Sequence, residues 1–442
     1  MTPVAPRWYL LLCGTIAMTA TSLHAAEQAN YDESAVRAYT LPDVLAGPDG
    51  RPAESAADWQ TRCRPHQLAL LEQTVYGRRL PSVPVHVIDA VDRAEAELAD
   101  GVRATRVQAR LQLGDATHAA TTDVLLYLPA HPSADRPVPV FLHLNFKGNQ
   151  AEHPDPGIRL CEAWLPDDPQ NGIVDHHATE VSRAAHARRW PVEKLLARGY
   201  GLATACYGDV FPDRADGRAA SALASLGRPL EGELPSDEPG AIATWAWQLS
   251  RILDWLITLP EVDATRVIVV GHSRNGKAAV WAGGCDERFA MVVSNESGCG
   301  GAALERRNYG ETIEAITRRF PHWFCPAFRS YADREPDLPV DAHGTLALAA
   351  PRPLYVASAI DDRWADPRGE FLAAVAADPV WRLFGRVGLA TCDWPPVDTP
   401  VGTTIGYHVR SGRHDLLEWD WLRFADLADR SLGGTARPAP AD

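Results

Sequence analysis

The stretch Val267-Ile-Val-Val-Gly-His-Ser-Arg-Asn-Gly-Lys-Ala-Ala279 changes from β-branched apolar residues to a polar turn containing glycine and then to small residues that suit a helix. This pattern is typical of a nucleophile elbow, in which a buried strand turns sharply into a helix and exposes a serine hydroxyl. It predicts Ser273 as a nucleophile, with the positive end of the following helix facing the position where an oxyanion forms. The sequence departs from the usual G-x-S-x-G pattern, because Asn275 occupies the second glycine position and Gly276 follows one residue later.

The segments around the elbow alternate between strand-like and helix-like patterns. The runs that predict strands are 85–88, 104–113, 122–128, 138–144, 201–207, 266–270, 291–294, 354–359 and 404–409, and those that predict helices are 192–197, 241–259 and 277–283. Strands that are apolar throughout and alternate with helices favour a mostly parallel sheet with helices on both faces. The sequence therefore predicts an α/β protein with an α/β-hydrolase fold, a three-layer sandwich that binds ligands at the carboxyl ends of its strands.

One large domain with a short segment at each end is the simplest organisation of this chain. Residues 1–26 have the charged, apolar and small-residue regions of a signal peptide, which predicts export to the periplasm or the medium. Their apolar run is shorter than the about 20 residues of a membrane span, so no membrane anchor is expected. The remaining segments are interpreted as an N-terminal extension packed on the main domain (27–84), the catalytic domain (85–432) and a disordered tail (433–442). The polar stretches 150–190 and 208–240 are interpreted as surface insertions bordering the active-site face.

The composition and charge exclude several classes of partner. The 442-residue chain has a formal net charge of −14, whereas nucleic-acid binding needs a basic surface that displaces counterions. The sequence has no CxxC pair that would indicate a zinc site. Seven cysteines follow the presumed signal peptide, which is compatible with one or two disulfides in an oxidising compartment. A small or carbohydrate substrate fits this composition best.

The partners of Ser273 are expected downstream, because α/β-hydrolases place serine, acid and histidine in that order along the chain. His414 lies in a glycine-containing loop after the last predicted strand, and we predict that it is the general base. His408 lies inside that strand and is interpreted as structural. Two carboxylates could orient the imidazole: Asp362 follows a later strand, and Glu296 follows the strand after the elbow helix. The sequence does not rank these two acids.

A more specific pattern extends beyond the elbow. Its segments are Asn145-Phe-Lys-Gly-Asn149, Arg189-Trp-Pro191, Arg198-Gly-Tyr200, Tyr207-Gly-Asp209, Trp245-Ala-Trp247, Gly271-His-Ser-Arg-Asn-Gly-Lys277, Asn295-Glu-Ser-Gly298, Pro321-His-Trp-Phe324, Leu348-Ala-Ala-Pro-Arg-Pro353 and Asp362-Arg-Trp-Ala-Asp-Pro367. Over about residues 140 to 420, the chain resembles the glucuronoyl esterases, carbohydrate esterase family 15, and its bacterial members more than its fungal ones. The S-R-N-G-K core of that family also contains the Asn275 that departs from the general elbow pattern.

This resemblance implies a carboxylic ester hydrolase of the 4-O-methyl-glucuronoyl methylesterase type. Its substrate would be the ester between (4-O-methyl)glucuronic acid side chains of glucuronoxylan and alcohols of lignin, cleaved by a monomer without a cofactor. By position, Ser273 matches the family nucleophile and His414 its base. Glu296 matches the acid of fungal members, and Asp362 matches an acid position that some bacterial members carry as well.

Four further residues receive roles through the same resemblance. Arg274 would stabilise the oxyanion, because a guanidinium next to the nucleophile offers directed donors to the growing negative charge. The positions that match sugar contacts are Lys277, Glu311 and Trp364. An indole that covers a pyranose ring and a carboxylate that accepts from its hydroxyls suit a uronate.

Two other functions stay open. An elbow with a triad specifies acyl transfer but not the acyl group, so another secreted serine hydrolase, such as an acetyl-xylan esterase or a peptidase, would carry the same features. A non-catalytic carbohydrate-binding relative is the second alternative, against which the complete triad argues.

The fungal enzymes bond a cysteine before the serine to one beside the histidine. These positions are His272 and Asp415 here, so the resemblance implies that this disulfide is absent.

Overall fold

A computed structural model describes residues 29–433 and contains thirteen strands within that range. The strands are β1 (Val85–Val87), β2 (Asp92–Glu97), β3 (Arg103–Leu113), β4 (Ala120–Pro129), β5 (Val138–Asn145), β6 (Ile173–Val174), β7 (His177–Ala178), β8 (Gly201–Cys206), β9 (Val262–His272), β10 (Met291–Asn295), β11 (Leu354–Ala359), β12 (Val401–Gly402) and β13 (Ile405–Arg410). The presumed signal peptide, 1–26, and the presumed tail apart from Gly433 lie outside the described residues.

Eleven of these strands form one sheet in the order β1-β3-β4-β8-β5-β9-β10-β11-β13-β12, with β2 also paired to β3. Six neighbouring strands from β8 to β13 run parallel to one another. The strands at both edges pair in antiparallel fashion. The prediction of a mostly parallel sheet is therefore confirmed, and the carboxyl ends of its six parallel strands meet at one edge.

The helices cover both faces of the sheet. They are α1 (Ala56–Asp58), α2 (Arg64–Leu71), α3 (Val192–Ala197), α4 (Ala222–Ser225), α5 (Ala241–Leu256), α6 (Arg274–Cys285), α7 (Ile313–Arg319), α8 (Pro326–Arg329), α9 (Ala342–Ala347), α10 (Pro367–Leu383) and α11 (Glu418–Ser431). Successive residues of β9 point to opposite faces, so Val267 and Val269 join a core with α5, α6, α9 and α10. Ile268 and Val270 join a second core with α3 and α11. Within residues 29–433, none of the helices has the length and apolar character needed to cross a membrane.

The residues before β1 pack against the main sheet domain. The ring of Tyr76 stacks on Trp281 of α6 at a centroid distance of 4.3 Å, and its hydroxyl donates to the carbonyl of Gly300 at 3.1 Å. Arg64 of α2 donates through Nη2 to the carbonyl of Gly284 at 2.7 Å. These contacts place residues 64–76 against the C-terminal half of the elbow helix.

Several sequence-based boundaries differ from the structure. The elbow strand begins at Val262 and not at 266, and its helix begins at Arg274 and not at 277. The stretches 150–190 and 208–240, interpreted as surface insertions, have mostly exposed or half-buried residues and also bury some apolar side chains such as Ile173 and Phe211 in the core. The seven cysteines of the described range are all free thiols, so the one or two disulfides that the sequence allowed are not formed there.

Candidate active site

Ser273 occupies the sharp turn between β9 and α6. Its backbone has φ 58° and ψ −129°, a left-handed conformation that a serine adopts only when the surrounding structure enforces it. Its amide donates to the carbonyl of Asn295 on the neighbouring strand at 2.9 Å. A side chain at Gly271 would place its Cβ 1.9 Å from the carbonyl oxygen of Asn275. The strand and the helix therefore approach each other too closely for any residue but glycine at that position.

The departure from the usual elbow pattern has a local explanation. Asn275 is buried and donates through Nδ2 to the carbonyl of Leu144 on β5 at 2.9 Å, so its side chain ties the elbow to the next strand. The position that requires a glycine is Gly276 and not residue 275, because an added Cβ at Gly276 would lie 2.9 Å from Cβ of Ser297. The glycine that packs against the neighbouring loop has thus shifted by one residue.

His414, Asp362 and Glu296 come together at the carboxyl ends of three adjacent strands. Asp362 follows β11, Glu296 follows β10, and His414 lies in the loop after β13. His414 Nδ1 is 2.6 Å from Oδ2 of Asp362 and 3.2 Å from Oε2 of Glu296. The ring of His414 also lies beside that of His272, the residue before Ser273, at a centroid distance of 4.6 Å. The structure therefore brings both candidate acids to one nitrogen of the candidate base, at the elbow.

The two carboxylates differ in their other contacts. Glu296 accepts a hydrogen bond from Arg410 Nη2 at 2.6 Å on one oxygen, and from the backbone amide of Asp415 at 3.0 Å on the other. Its side chain is fully buried, and its backbone has φ 47°. Glu296 consequently anchors the loop that carries His414, whereas Asp362 makes the shorter contact with the imidazole.

These contacts shift the pKa values of His414 and Glu296. Burial alone would lower the pKa of His414, but hydrogen bonds to Asp362 and Glu296 and the negative charges of both raise it to about 9. Burial raises the pKa of Glu296 to about 7, although His414 and Arg410 act in the opposite direction. The imidazolium form of His414 is therefore strongly favoured in the free site.

Arg274 is the first residue of the elbow helix, and several side chains hold its guanidinium. The guanidinium carbon lies 4.9 Å from the ring centroid of Trp323 and 5.6 Å from that of Phe320. Nη1 pairs with the buried carboxylate of Asp213. The guanidinium of the residue after Ser273 is thus held by an ion pair and flanked by aromatic rings.

Of the three candidate sugar-binding residues, Lys277 lies one turn further along α6, whereas Glu311 precedes α7 and Trp364 follows β11. Lys277 is buried and donates through Nζ to the carbonyls of Ser297 and Cys299 at 2.5 and 2.7 Å. The same ammonium lies 3.3 Å from Oε2 of Glu311. The amide of Glu311 in turn donates to the carbonyl of Trp364 at 2.8 Å, and the indole of Trp364 is half-buried.

Sequence reasoning missed three polar residues of this region. Asp213 contacts Arg274, His322 contacts Asp213, and Arg410 contacts Glu296. No motif or periodicity marks Asp213. His322 belongs to the segment Pro321-His-Trp-Phe324, but its contact with Asp213 forms only in the folded chain. A charged residue at the end of the apolar strand β13 was the one signal for Arg410, since a buried charge requires a partner.

Among residues 29–433, two groups of donors are close enough to share a cation, judged by distance alone. The donor atoms of Glu296, Asp362 and His414 lie within 4.8 Å of one another, as do those of Cys161, Cys206 and Asp209. In the first group, the imidazole of His414 and the guanidinium of Arg410 already compensate the negative charge of the carboxylates. In the second, burial and the neighbouring thiol raise the pKa of Cys206, which opposes the thiolate that a metal requires.

Comparison with known proteins gives relatives over nearly the whole chain. Residues 235–385 match the family model described as glucuronyl esterase, fungi. A carbohydrate esterase from an unidentified prokaryotic organism is 43% identical over 408 residues, which span 92% of this chain and 93% of the relative. A 4-O-methyl-glucuronoyl methylesterase from Hypocrea jecorina is 37% identical over 161 residues, 34% of each chain.

Two solved structures that resemble this chain are also described as esterases. A structure described as a promiscuous CE15 esterase from the marine bacterial metagenome has a TM-score of 0.84 and 42% identity, covering 91% of this chain and all of the other. The glucuronoyl esterase from Solibacter usitatus has a TM-score of 0.83 and 44% identity, covering 90% of this chain and all of its own. The chain belongs to the glucuronoyl esterase family, carbohydrate esterase family 15, within the α/β-hydrolase fold.

Proposed function

We propose that this protein is a serine esterase that hydrolyses the ester between (4-O-methyl)glucuronic acid side chains of glucuronoxylan and alcohols of lignin. The observation that carries the proposal is the meeting of the imidazole of His414 with two carboxylates beside the strained Ser273. Similarity to glucuronoyl esterases over nine-tenths of the chain supports the choice of acyl group.

The proposed mechanism is a two-step acyl transfer. His414 accepts the proton of Ser273, whose oxygen attacks the uronate carbonyl, while Asp362 and Glu296 stabilise the imidazolium that forms. The guanidinium of Arg274 and the amides at the start of α6 donate to the tetrahedral oxyanion. His414 then gives its proton to the alcohol, which leaves. Water repeats the sequence on the acyl-enzyme and releases the uronate.

The substrate proposal is tested by comparing three esters. Purified protein is incubated with benzyl glucuronate, an acetylated xylan and a methyl galacturonate. Cleavage of the glucuronate ester alone supports a uronoyl esterase that is specific for the gluco configuration. The relative described as promiscuous is 42% identical, which is why the acetylated xylan is included. Acetate release without glucuronate cleavage would assign the chain to another class of esterase.

Arg274→Met is expected to lower kcat/KM for benzyl glucuronate by about a hundredfold to a thousandfold, the range for losing one oxyanion donor. Arg274→Lys keeps the positive charge but loses the planar fork of donors, so we expect it to recover only part of the loss. Both variants are assayed alongside the wild type under identical conditions. Equal rates for Arg274→Met and the wild type would remove Arg274 from the mechanism.

The pH profile should report the raised pKa of His414. The base must be neutral to accept a proton, so kcat/KM should rise by about tenfold per pH unit on the acid side and level off near pH 9. Asp362→Asn removes one charge that favours the imidazolium, so the rising limb should move to lower pH. The profile is measured after subtraction of spontaneous ester hydrolysis. A plateau reached below pH 7 in the wild type contradicts this assignment.

Trp364→Ala should raise KM for benzyl glucuronate by about tenfold, which corresponds to the loss of about 1.4 kcal/mol of ring contact. The backbone carbonyl that Glu311 contacts is retained in this variant. Hydrolysis of p-nitrophenyl acetate, which has no sugar ring, serves as the control and should keep its kcat/KM. Equal losses on both esters would indicate a packing role for Trp364.

The proposal also covers the setting of the enzyme. Residues 1–26 are proposed to direct export to the periplasm or the medium and to be removed, residues 27–84 to act as an extension of the catalytic domain, and the mature protein to act as a monomer without a cofactor. The mass of the secreted protein tests the cleavage, and light scattering tests the oligomeric state.

A further inference from the structure

Asp213 carries a buried carboxylate whose two oxygens are both engaged by polar side chains. Its side chain is only 2% exposed, and burial of a carboxylate costs several kcal/mol unless charges and hydrogen bonds compensate. Oδ1 accepts from Nε2 of His322 and from Nε1 of Trp323, each at 2.8 Å. Oδ2 accepts from Nη1 of Arg274 and from the hydroxyl of Tyr207 at 3.2 Å. Four donors from three parts of the chain thus meet on one carboxylate.

The donors keep Asp213 charged. Burial raises the pKa of Asp213, but the hydrogen bond from His322, the charge of Arg274 and the hydrogen bond from Trp323 outweigh it and lower the pKa to about 2. Since an ionised carboxylate only accepts, His322 carries its proton on Nε2. The charge that faces Arg274 is therefore constant over the pH range in which esterases work.

The contact with Asp213 determines which donors of Arg274 stay available. Nη1 is occupied by the carboxylate, and the plane of the guanidinium lies near the ring of Trp323. The buried Nε of Arg274 makes no hydrogen bond to any residue between 29 and 433. A side chain that is already fixed loses little rotamer entropy when it meets the transition state, whereas an unrestrained arginine loses more.

We propose that Asp213 is a positioning residue of this esterase, which orients the guanidinium of Arg274 so that its remaining donors meet the oxyanion formed at Ser273. The inference rests on the oxyanion role proposed for Arg274. Asp213 acts through Arg274 and does not contact the reacting atoms. His322 and Trp323 support it by fixing the opposite oxygen of the carboxylate.

The first test replaces Asp213 by asparagine, which has nearly the same shape but no charge. If its amide oxygen faces His322 and Trp323, its NH₂ group faces Arg274, donor against donor. We expect kcat/KM for benzyl glucuronate to fall by about tenfold to a hundredfold, less than the loss of the oxyanion donor itself. The control is Asp209→Asn, a half-buried aspartate of the same segment that accepts from Thr122 at 2.8 Å. It should keep the wild-type kcat/KM.

A double-mutant cycle separates positioning from a general structural role. Asp213→Asn is combined with Arg274→Met, and kcat/KM of the four proteins is compared. If Asp213 acts through Arg274, then Asp213→Asn should have no further effect once Arg274 is replaced. Multiplied losses in the double variant would overturn the proposal. Equal activity of Arg274→Met and the wild type would instead reject the oxyanion role on which the inference rests.

Asp213→Glu provides a second route if the asparagine variant does not fold. This variant keeps the negative charge but displaces it by one methylene. The guanidinium of Arg274 should therefore stay paired with the carboxylate, but in a shifted position. We expect its loss of kcat/KM to disappear in the Arg274→Met background, as for asparagine. A loss of the same size in both backgrounds contradicts the proposal.

Discussion

Ser273→Ala is expected to keep the wild-type fold and to lose turnover of benzyl glucuronate by about 10⁴-fold to 10⁶-fold, the range found when a serine hydrolase loses its nucleophile. Alanine retains the Cβ that the strained turn already accommodates, so the elbow should persist. Arg274 and the amides at the start of α6 remain, and they account for the residual rate above the uncatalysed reaction.

Turnover, circular dichroism and covalent labelling together test this result. A serine-directed phosphonate should add its mass to the wild-type protein at Ser273 and leave Ser273→Ala unlabelled. Ser330→Ala changes an exposed serine directly after α8 and is the matched control, expected to behave as the wild type in all three measurements. Wild-type turnover in Ser273→Ala would remove this residue from the mechanism.

The second large effect is expected for the double variant Asp362→Asn with Glu296→Gln. Loss of the orienting charge lowers turnover by about 10⁴-fold in serine hydrolases with a single acid. Here His414 contacts two carboxylates, so each single variant should lose less than the double variant. Asp362→Asn should be the more damaging single change for activity, because Asp362 makes the shorter contact with Nδ1.

The same variants should separate activity from stability. Glu296 is the buried partner of Arg410, and removal of one partner of a buried pair commonly costs about 3 to 5 kcal/mol. Glu296→Gln should therefore lower the urea midpoint of unfolding more than Asp362→Asn does. Asp361→Asn, an exposed neighbour, is the control for activity and stability. If Glu296→Gln lost more activity than Asp362→Asn and kept its midpoint, the two roles would have to be exchanged.

Local patterns predicted the elements that hold the site. The elbow is visible in the sequence because an apolar strand, a glycine and a small-residue helix are contiguous in the chain. By contrast, β2 was missed because its residues are mostly charged, as suits an edge strand. β12 was missed because a strand of two residues is too short to show a pattern of apolar residues. Continuous apolar runs mark the buried parallel strands far more clearly than the edges.

Tertiary contacts account for what the sequence left undecided. Asp362 and Glu296 could not be ranked from the sequence, because their distances to His414 depend on the register of β10 against β11, in which Asn295 pairs with Ala357. Asp213 was not singled out for a similar reason: three of its four donors, Arg274, His322 and Trp323, are more than 60 residues away in the chain. Buried polar residues in irregular segments become interpretable only when their partners are known.

The arrangement of Glu296 and Asp362 on neighbouring strand ends also bears on how such a site changes during evolution. Two anionic side chains reach one imidazole nitrogen from separate loops, so a substitution at one position leaves the base with a charged neighbour. Lineages can thus transfer the acid from one strand to the next through functional intermediates, without passing through an inactive ancestor.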